Sequence, residues 1–198
     1  MAISSCASPD NNNSTNNNDV ITTLMTRRSV RAYKDQPVNR DTMDVITKCG
    51  VFAPNGMNRQ NWEIRIVDNP VFIKGTTDLF VEQMSKDERG KKMVSDPSFK
   101  NIYRNAPTVV FIATSNGESL IDCGLLAGNM VNAAWSMGIG SCCLGGPIGF
   151  LNSEVAAPFL EILDFPADFK LVLAIGFGYP DEKPEAKPRD LNKIRWIE

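Results

Sequence analysis

The pattern of apolar and polar residues predicts helices and strands in mixed order from residue 19 onward. A first helix is predicted over residues 20–25, where apolar residues recur at helical spacing and Asp19 is a suitable N-cap. A second helix is predicted after Asn39, another capping residue, and its apolar positions continue to Val51. The sequence Pro54-Asn55-Gly56 then ends this helix, because proline and glycine interrupt helical structure.

Three stretches are predicted as strands. Residues 62–67 partly alternate between apolar and polar, as a half-exposed strand does. Residues 108–113 and 171–175 are continuous apolar runs, which are typical of strands covered on both faces. The polar stretch from Val71 to about Tyr103 is predicted as helical. The predicted class is therefore α+β (mixed α/β), with helices flanking a small central sheet.

Residues 119–137 are predicted to form a helix that is apolar on every side, as in a helix buried in a core or between subunits. A membrane span is the competing interpretation, and Asp122, Asn129 and Asn132 argue against it because polar side chains are costly in lipid. Gly124 and Gly128 lie one turn apart and allow another backbone to approach closely. These features favour an interface helix in a homodimer.

Residues 1–18 differ in composition from the rest of the chain. Residues 11–18 contain only asparagine, serine and threonine, so this part is predicted to be a disordered tail before a folded domain at 19–198. The stretch Ile3-Ser4-Ser5-Cys6 resembles a bacterial lipoprotein processing box, although no apolar signal core precedes it. Two interpretations stay open: a cytoplasmic protein, or one tethered to a membrane through Cys6 after removal of an upstream segment.

The absence of histidine excludes several kinds of site. A chain with no histidine cannot form a Ser-His-Asp or Cys-His catalytic site, or a zinc site with histidine ligands. The five cysteines include no C-x-x-C pair, and such a scattered set fits a reducing compartment. Adjacent Cys142 and Cys143 are either a redox pair or two small apolar residues beside a glycine-rich turn. Thiolate and carboxylate chemistry remain open after these exclusions. We expect no metal site and, if the chain is an enzyme, a cofactor that carries the chemistry.

Charge points to a small anionic ligand rather than to a polymer. The net charge of -2 gives no indication of a nucleic-acid or membrane-surface partner. Arg27, Arg28 and Arg31 nevertheless concentrate positive charge at a predicted helix end, with Ser29 among them. The planar guanidinium suits phosphate oxygens, although charge compensation of the helix dipole would explain the same cluster. Lys187-Pro188-Arg189 near the other end of the chain could converge on the same phosphate.

Two further segments have the composition of a ligand site. Residues 54–62 are dense in amide side chains, which both donate and accept hydrogen bonds and suit a flat heterocycle. Residues 138–147 form a predicted glycine-rich loop, where backbone can approach a ligand closely. This loop does not match G-x-G-x-x-G after a strand, so a Rossmann dinucleotide site is not indicated.

Together and in this order, the four segments resemble the nitroreductase family. The family's R-[RH]-S-x-[RK] motif is matched by Arg27-Arg28-Ser29-Val30-Arg31, and its P-S-x-x-N-x-Q-P-W motif by Pro54, Asn58, Gln60 and Trp62. Its G-[IL]-G turn after a long helix is matched by Gly138-Ile139-Gly140, and its closing motifs by Gly178-Tyr179-Pro180 and Lys187-Pro188-Arg189. The resemblance extends from about Val20 to the end of the chain.

The resemblance implies an FMN at the interface of an intertwined dimer, in a fold whose central mixed sheet is flanked by helices. The residues implied for the phosphate and ribityl chain are Arg27, Ser29, Arg31, Lys187 and Arg189, with Arg28 contributing partly through its backbone. The residues implied to reach the flavin bound mainly by the other subunit are Pro54, Asn55 and Asn58, while Gln60 supports their loop. The backbone implied to face the flavin ring is that around Leu144, Gly145 and Gly146.

The implied activity is ping-pong transfer of a hydride from NADH or NADPH through FMN to a nitroaromatic, a quinone or a similar small oxidant. Reductive dehalogenation, flavin cleavage and flavin binding without turnover are the alternatives. Asn55 replaces the usual serine and Asn61 the usual proline, which puts contacts from that loop in question. Only a few residues separate Ala113 from Ser119, where larger members insert helices, so an open site is expected.

Overall fold

A computed structural model describes residues 19–115 and 119–198; the predicted tail and Cys6 lie outside these residues. The helices are α1 (Asp19–Thr26), α2 (Arg40–Val51), α3 (Pro70–Met84), α4 (Glu88–Val94), α5 (Leu120–Ser136), α6 (Ile148–Leu151) and α7 (Ala157–Leu163). The strands are β1 (Glu63–Val67), β2 (Thr108–Ser115), β3 (Gly140–Leu144) and β4 (Phe169–Gly178). Short 3₁₀ turns cover Gly56–Asn58, Glu154–Ala156 and Leu191–Lys193.

The four strands form one sheet in the order β1-β2-β4-β3, and each neighbouring pair is antiparallel. The two predicted apolar runs are confirmed as the central strands β2 and β4, and residues 109–113 are completely buried. A parallel bridge joins Ser29 to Ser141 at the β3 side of the sheet. The α+β class predicted from the sequence is confirmed.

Each face of the sheet carries its own hydrophobic core, because successive strand residues point to opposite faces. Val110 and Ile112 of β2 pack with α2 and α5 on one face, whereas Val109 and Phe111 pack with α3 and α6 on the other. The close packing of α2 on α5 depends on Gly50, since a Cβ there would lie 2.7 Å from Cγ of Met130.

The helix ends show which local predictions hold. Asn39 caps α2 as predicted, and its side chain accepts a hydrogen bond from the Asp41 N–H at 2.9 Å. Asp19 is the first residue of α1 rather than its cap. The predicted helical stretch 71–103 is interrupted between Met84 and Glu88 and is wrong beyond Val94. The backbone N–H groups of residues 100–103 donate to side-chain oxygens instead of to helical carbonyls. Oδ1 of Asn101, for instance, accepts from Tyr103.

The predicted glycine-rich loop at 138–147 is in part a strand. Residues Gly140–Leu144 form β3, which pairs with β4 from Gly140–Gly178 to Leu144–Ala174. Gly140 is needed for contact rather than for a turn, since a Cβ there would lie 2.9 Å from Cβ of Val30. Within this stretch, Gly145 and Gly146 remain the open part that follows the strand.

The predicted helix at 119–137 is confirmed as α5, and one of its faces is not covered by the chain itself. Leu126 and Met130 are fully buried, whereas Leu120, Ile121 and Leu125 are exposed. No helix of the described residues is long and apolar enough to cross a membrane. The subunit interface expected on α5 stays a prediction.

Candidate cofactor site

The basic segment 27–31 lies along the edge of the sheet, directly after α1. Val30 is completely buried, and its N–H donates to the Ser141 carbonyl at 3.0 Å, which anchors the segment beside β3. Arg28 turns back onto the helix, where Nη1 donates to the carbonyls of Met25 at 3.1 Å and Arg27 at 2.9 Å. The side chain of Arg28 therefore serves the carboxyl end of α1, as a cation at a helix end does.

The chain beyond β4 runs back along this basic segment. The Lys34 N–H donates to the Tyr179 carbonyl and the Asp181 N–H to the Ala32 carbonyl, both at 2.9 Å. The Glu182 carboxylate accepts from the N–H groups of Arg31 and Ala32, the latter at 3.2 Å.

The two ends of the domain therefore meet at this segment, as expected from the sequence. Residues up to Ala186 share a crevice with residues 26–30. Lys187 and Arg189 follow in exposed chain, and their contact with a phosphate stays a prediction.

One cavity of about 390 Å³ joins two of the segments singled out from the sequence. Arg31 contributes from the basic segment, and Leu144, Gly145 and Gly146 contribute from the end of β3. The remaining lining residues are Phe80, Met93, Phe99, Asn101, Ile102, Arg104, Cys142, Cys143 and Pro147. This volume is in the usual range for a small-molecule site.

Positive charge is concentrated around this cavity. Burial raises the pKa of the Cys142 thiol, and the guanidinium groups of Arg31, Arg104 and Arg27 act in the opposite direction because all three lie close to it. Among the described residues, no carboxylate forms an ion pair with any of these arginines. Arginine side chains that form no ion pair within the described residues favour the binding of an anion.

The adjacent cysteines fit the interpretation as small apolar residues better than that as a redox pair. Both are free thiols in β3, where successive side chains point to opposite faces, and Cys142 is buried while Cys143 is exposed. Although Cys143 is exposed to solvent on one side, desolvation by the residues around it raises the pKa of its thiol as well, so neither thiol is activated as a thiolate.

The amide-rich loop does not line the cavity of its own chain. Asn55 braces the loop from within: Oδ1 accepts from the Gln60 N–H at 3.0 Å, and Nδ2 donates to the Ala53 carbonyl at 3.4 Å. Nδ2 of Asn61 donates to Oγ of Ser115 at 2.7 Å, where the family's usual proline could not. The amide-rich loop therefore contributes nothing to the cavity of its own chain, and its side chains are available to a ligand bound outside that cavity.

Backbone strain is concentrated at two places. The described non-glycine residues with positive φ are Met57, Asn58, Gln60, Arg104, Asn105 and Asp164. The first three belong to the amide-rich loop, Arg104 lines the cavity and Asn105 follows it in the chain, and Asp164 ends α7. Such conformations cost roughly 1–3 kcal/mol each and cluster at functional sites. The segment around Arg104 carries no sequence motif, so its strained backbone could not be predicted from the sequence.

Comparison with known proteins decides the family. The sequence profile described as "Nitroreductase family" matches residues 24–179, which is most of the chain. The chain belongs to the nitroreductase family. The matched range includes the basic segment, the amide-rich loop and the glycines after β3, so the resemblance inferred from these motifs is confirmed.

Relatives of this nitroreductase include a putative NADH dehydrogenase/NAD(P)H nitroreductase from Archaeoglobus fulgidus, 25% identical over 163 residues that cover 81% of this chain and 85% of the relative. A Bacillus subtilis protein named FMN reductase (NADPH) is 26% identical, over 84% of this chain and 68% of its own. A crystal structure of a nitroreductase with bound FMN from Bacteroides fragilis is 26% identical, with a TM-score of 0.82 over 91% of this chain and 100% of that one.

Proposed function

We propose that this nitroreductase binds FMN and transfers electrons from NADH or NADPH to a small oxidant such as a nitroaromatic or a quinone. One observation carries the proposal: the cavity in which Arg31 of the phosphate motif meets the open backbone of Gly145 and Gly146. The names of the relatives, which include an NADPH-dependent FMN reductase, support both the cofactor and the electron donor.

The described residues fit FMN on two counts. A phosphate ester carries about −1.5 to −2 charges at neutral pH, and Arg27 and Arg31 have no carboxylate partner among the described residues to compete with it. A Cβ built on Gly145 or Gly146 meets no atom within 4 Å, so the backbone there is open to a flat ring. A ligand that joins a phosphate to a planar heterocycle would satisfy both: its phosphate would bind the arginines, and its ring would lie on the open backbone.

The chain's own groups then have distinct tasks. Arg27, Ser29 and Arg31 hold the phosphate and ribityl chain, and the residues that complete this grip are Lys187 and Arg189. The backbone from Leu144 to Gly146 supports the ring and supplies N–H groups beside it. FMN held by these residues would supply the chemistry of hydride transfer from NAD(P)H to the oxidant, in a ping-pong sequence. No side chain acts as a nucleophile or general base.

The second subunit completes the site in this proposal. Pro54, Asn55 and Asn58 do not line their own chain's cavity, so they would reach the FMN held mainly by the partner chain. The exposed side of α5 provides the surface on which the two chains of a homodimer would meet.

The proposal is tested by the flavin content of the purified protein. After reconstitution we expect about one FMN per subunit, released intact by denaturation, because the basic segments surround room for a single phosphate. Under anaerobic conditions NADH or NADPH should bleach the bound flavin. FAD in place of FMN, or no flavin at all, would contradict the proposal, and bound FMN that is not bleached would indicate a binding protein without turnover.

A further inference from the structure

The cavity has a second wall that no family motif supplies. This wall comes from α3, α4 and the segment that follows them, and its residues are Phe80, Met93, Phe99, Asn101, Ile102 and Arg104. The wall is apolar except for one amide and one guanidinium. In the proposed function the motif residues hold the cofactor. This second wall would therefore face the substrate that binds beside the cofactor.

The backbone that presents Arg104 is fixed on both sides. Arg104 and Asn105 have φ values of 56° and 65°, which side-chain-bearing residues rarely adopt. Oδ1 of Asn101 accepts from the N–H groups of Tyr103 and Asn105, both at 2.9 Å. Oδ1 of Asn105 accepts in turn from the Lys100 N–H at 2.9 Å.

A buried tyrosine adds a further anchor next to Arg104. Tyr103 is completely buried and donates from its hydroxyl to Oγ1 of Thr76 at 2.9 Å. Strained conformations persist only where the surroundings hold them in place. The position of Arg104 at the cavity is therefore built into the segment rather than sampled by a free loop.

The guanidinium of Arg104 is available to a ligand. Among the described residues, no side chain or backbone oxygen forms a hydrogen bond or ion pair with this group. It lies close to Cys142. Burial raises the pKa of that thiol, and the charge of Arg104 offsets part of this rise. An arginine fork binds a carboxylate or sulfonate through two parallel hydrogen bonds, and the apolar wall beside it suits an aromatic ring.

We infer that Arg104 makes this enzyme prefer aromatic oxidants that carry an acidic group, such as nitrobenzoates or sulfonated quinones. The inference rests on the proposed function and names its substrate class. For a nitroaromatic acid the balanced reaction is ArNO₂ + NAD(P)H + H⁺ → ArNO + NAD(P)⁺ + H₂O. The guanidinium binds the acid group and takes no part in the transfer of electrons.

Binding is measured first, on the FMN-loaded protein and without turnover. Benzoate and benzamide have the same ring and differ in charge, and their dissociation constants can be followed by the change in flavin absorbance. We expect benzoate to bind more tightly than benzamide, and Arg104→Gln to reduce this preference about tenfold or more, because one charge-assisted contact is lost. Arg104→Lys should keep part of it. Arg89→Gln, the same change at an exposed site on α4, is the matched control and should keep all of it.

Turnover provides the second readout, with 4-nitrobenzoate and 4-nitrobenzamide at saturating NAD(P)H. We expect the ratio of their kcat/KM values to fall in Arg104→Gln by the same factor as the binding preference. An unchanged ratio overturns the inference. A loss of FMN affinity in Arg104→Gln with no change in the ratio also overturns it and assigns Arg104 to the cofactor. Failure of the wild-type protein to bind FMN would instead refute the proposed function, so the two failures are distinguishable.

Discussion

Arg40 and the arginines of the basic segment have different environments, which their spacing in the sequence does not reveal. Arg40 forms a two-point ion pair with Asp68, at 2.8 and 3.0 Å, and this contact lowers the pKa of the Asp68 carboxyl. Arg27 and Arg31 lie in a basic cluster where no described carboxylate pairs with them. An arginine without a counter-charge near a cavity is available to a ligand, whereas a paired arginine is already used by the fold.

Replacing Arg27 or Arg189 by alanine tests the phosphate site at the level of single residues. Each change should weaken FMN binding by about 1.5–3 kcal/mol, which is typical of a charge-assisted hydrogen bond. The dissociation constant of FMN, measured by fluorescence at two salt concentrations, checks this. Where the site is partly exposed, the loss should shrink at the higher salt concentration, because ions screen the contact that the variant lacks.

Arg195→Ala is the control for these variants, because it removes an equally exposed arginine from the same end of the chain. It should leave the affinity unchanged. If Arg27→Ala and Arg189→Ala also bind FMN like the wild type, the basic clusters are merely solvated surface.

For single residues, the sequence predicts roles that depend on neighbouring positions in the chain. Asn39 was identified as a cap because a capping side chain and the N–H it accepts from are two residues apart. Arg31 is proposed for the cofactor because it matches the family's phosphate motif, and Gly145 and Gly146 are proposed because they lie in the glycine-rich segment 138–147. Arg104 had neither signal, since its importance comes from a backbone conformation and a cavity that form only when distant segments pack.

Among the secondary-structure elements, β1 and the end of α7 are tied together by a single side chain. Nε of Arg65 donates to the Leu163 carbonyl and Nη2 to the Asp164 carbonyl, both at 2.7 Å. The guanidinium also lies 4.9 Å from the centre of the Phe165 ring. Carbonyls at a helix end have no partner within the helix, so Arg65 completes the hydrogen bonding of α7.

Replacing Arg65 by alanine should therefore destabilise the protein by about 1–3 kcal/mol, since two carbonyls lose their donor. Thermal unfolding checks this as a fall in Tm of a few degrees for each kcal/mol. Lys74→Ala breaks the exposed Lys74–Asp78 pair and is the control, with an expected loss within about 0.5 kcal/mol. Equal Tm values for the two variants would show that the contacts of Arg65 contribute no more than a surface ion pair.

The elements that the sequence predicted best are those with a strong apolar pattern. β2, β4 and α5 were found because their apolar runs are long and bounded by polar residues. β3 was missed because five residues of glycine, serine, cysteine and leucine resemble a turn until β4 pairs with them. The segment after α4 was misread because asparagine side chains, rather than helical carbonyls, satisfy its backbone.

For the whole molecule, the exposed apolar surface is the feature that a single chain leaves unexplained. On α5 the exposed fractions are 58% for Leu120, 80% for Ile121 and 43% for Leu125. Large exposed apolar patches on soluble proteins mark interaction surfaces. A homodimer that uses this face would agree with the proposal that the amide-rich loop of one chain contributes to the site of the other.

Mixed dimers test whether two chains share one site. Variants disabled at Arg27 or at Asn58 should each be poor enzymes as homodimers. When they are co-expressed with different affinity tags, heterodimers should contain one site with both defects and one with neither, because C₂ symmetry exchanges the two contributions. Activity per purified heterodimer should therefore return to about half that of the wild type. Heterodimers without recovery would show that each site is built within one chain, and wild-type dimers carrying both tags control for purification.

The contact between Glu182 and the backbone of Arg31 has a consequence for how the protein matures during translation. These residues are 151 positions apart, so the basic segment 27–31 is synthesised long before the carboxylate that accepts its backbone hydrogen bonds. At about 5–20 residues per second, the ribosome needs roughly 8 to 30 seconds to cover that distance. β4, which separates β2 from β3 in the sheet, emerges just before Glu182. β2 can pair early with β1, but its other edge and the strand β3 have no neighbour in the sheet until β4 has been synthesised, near the end of the domain.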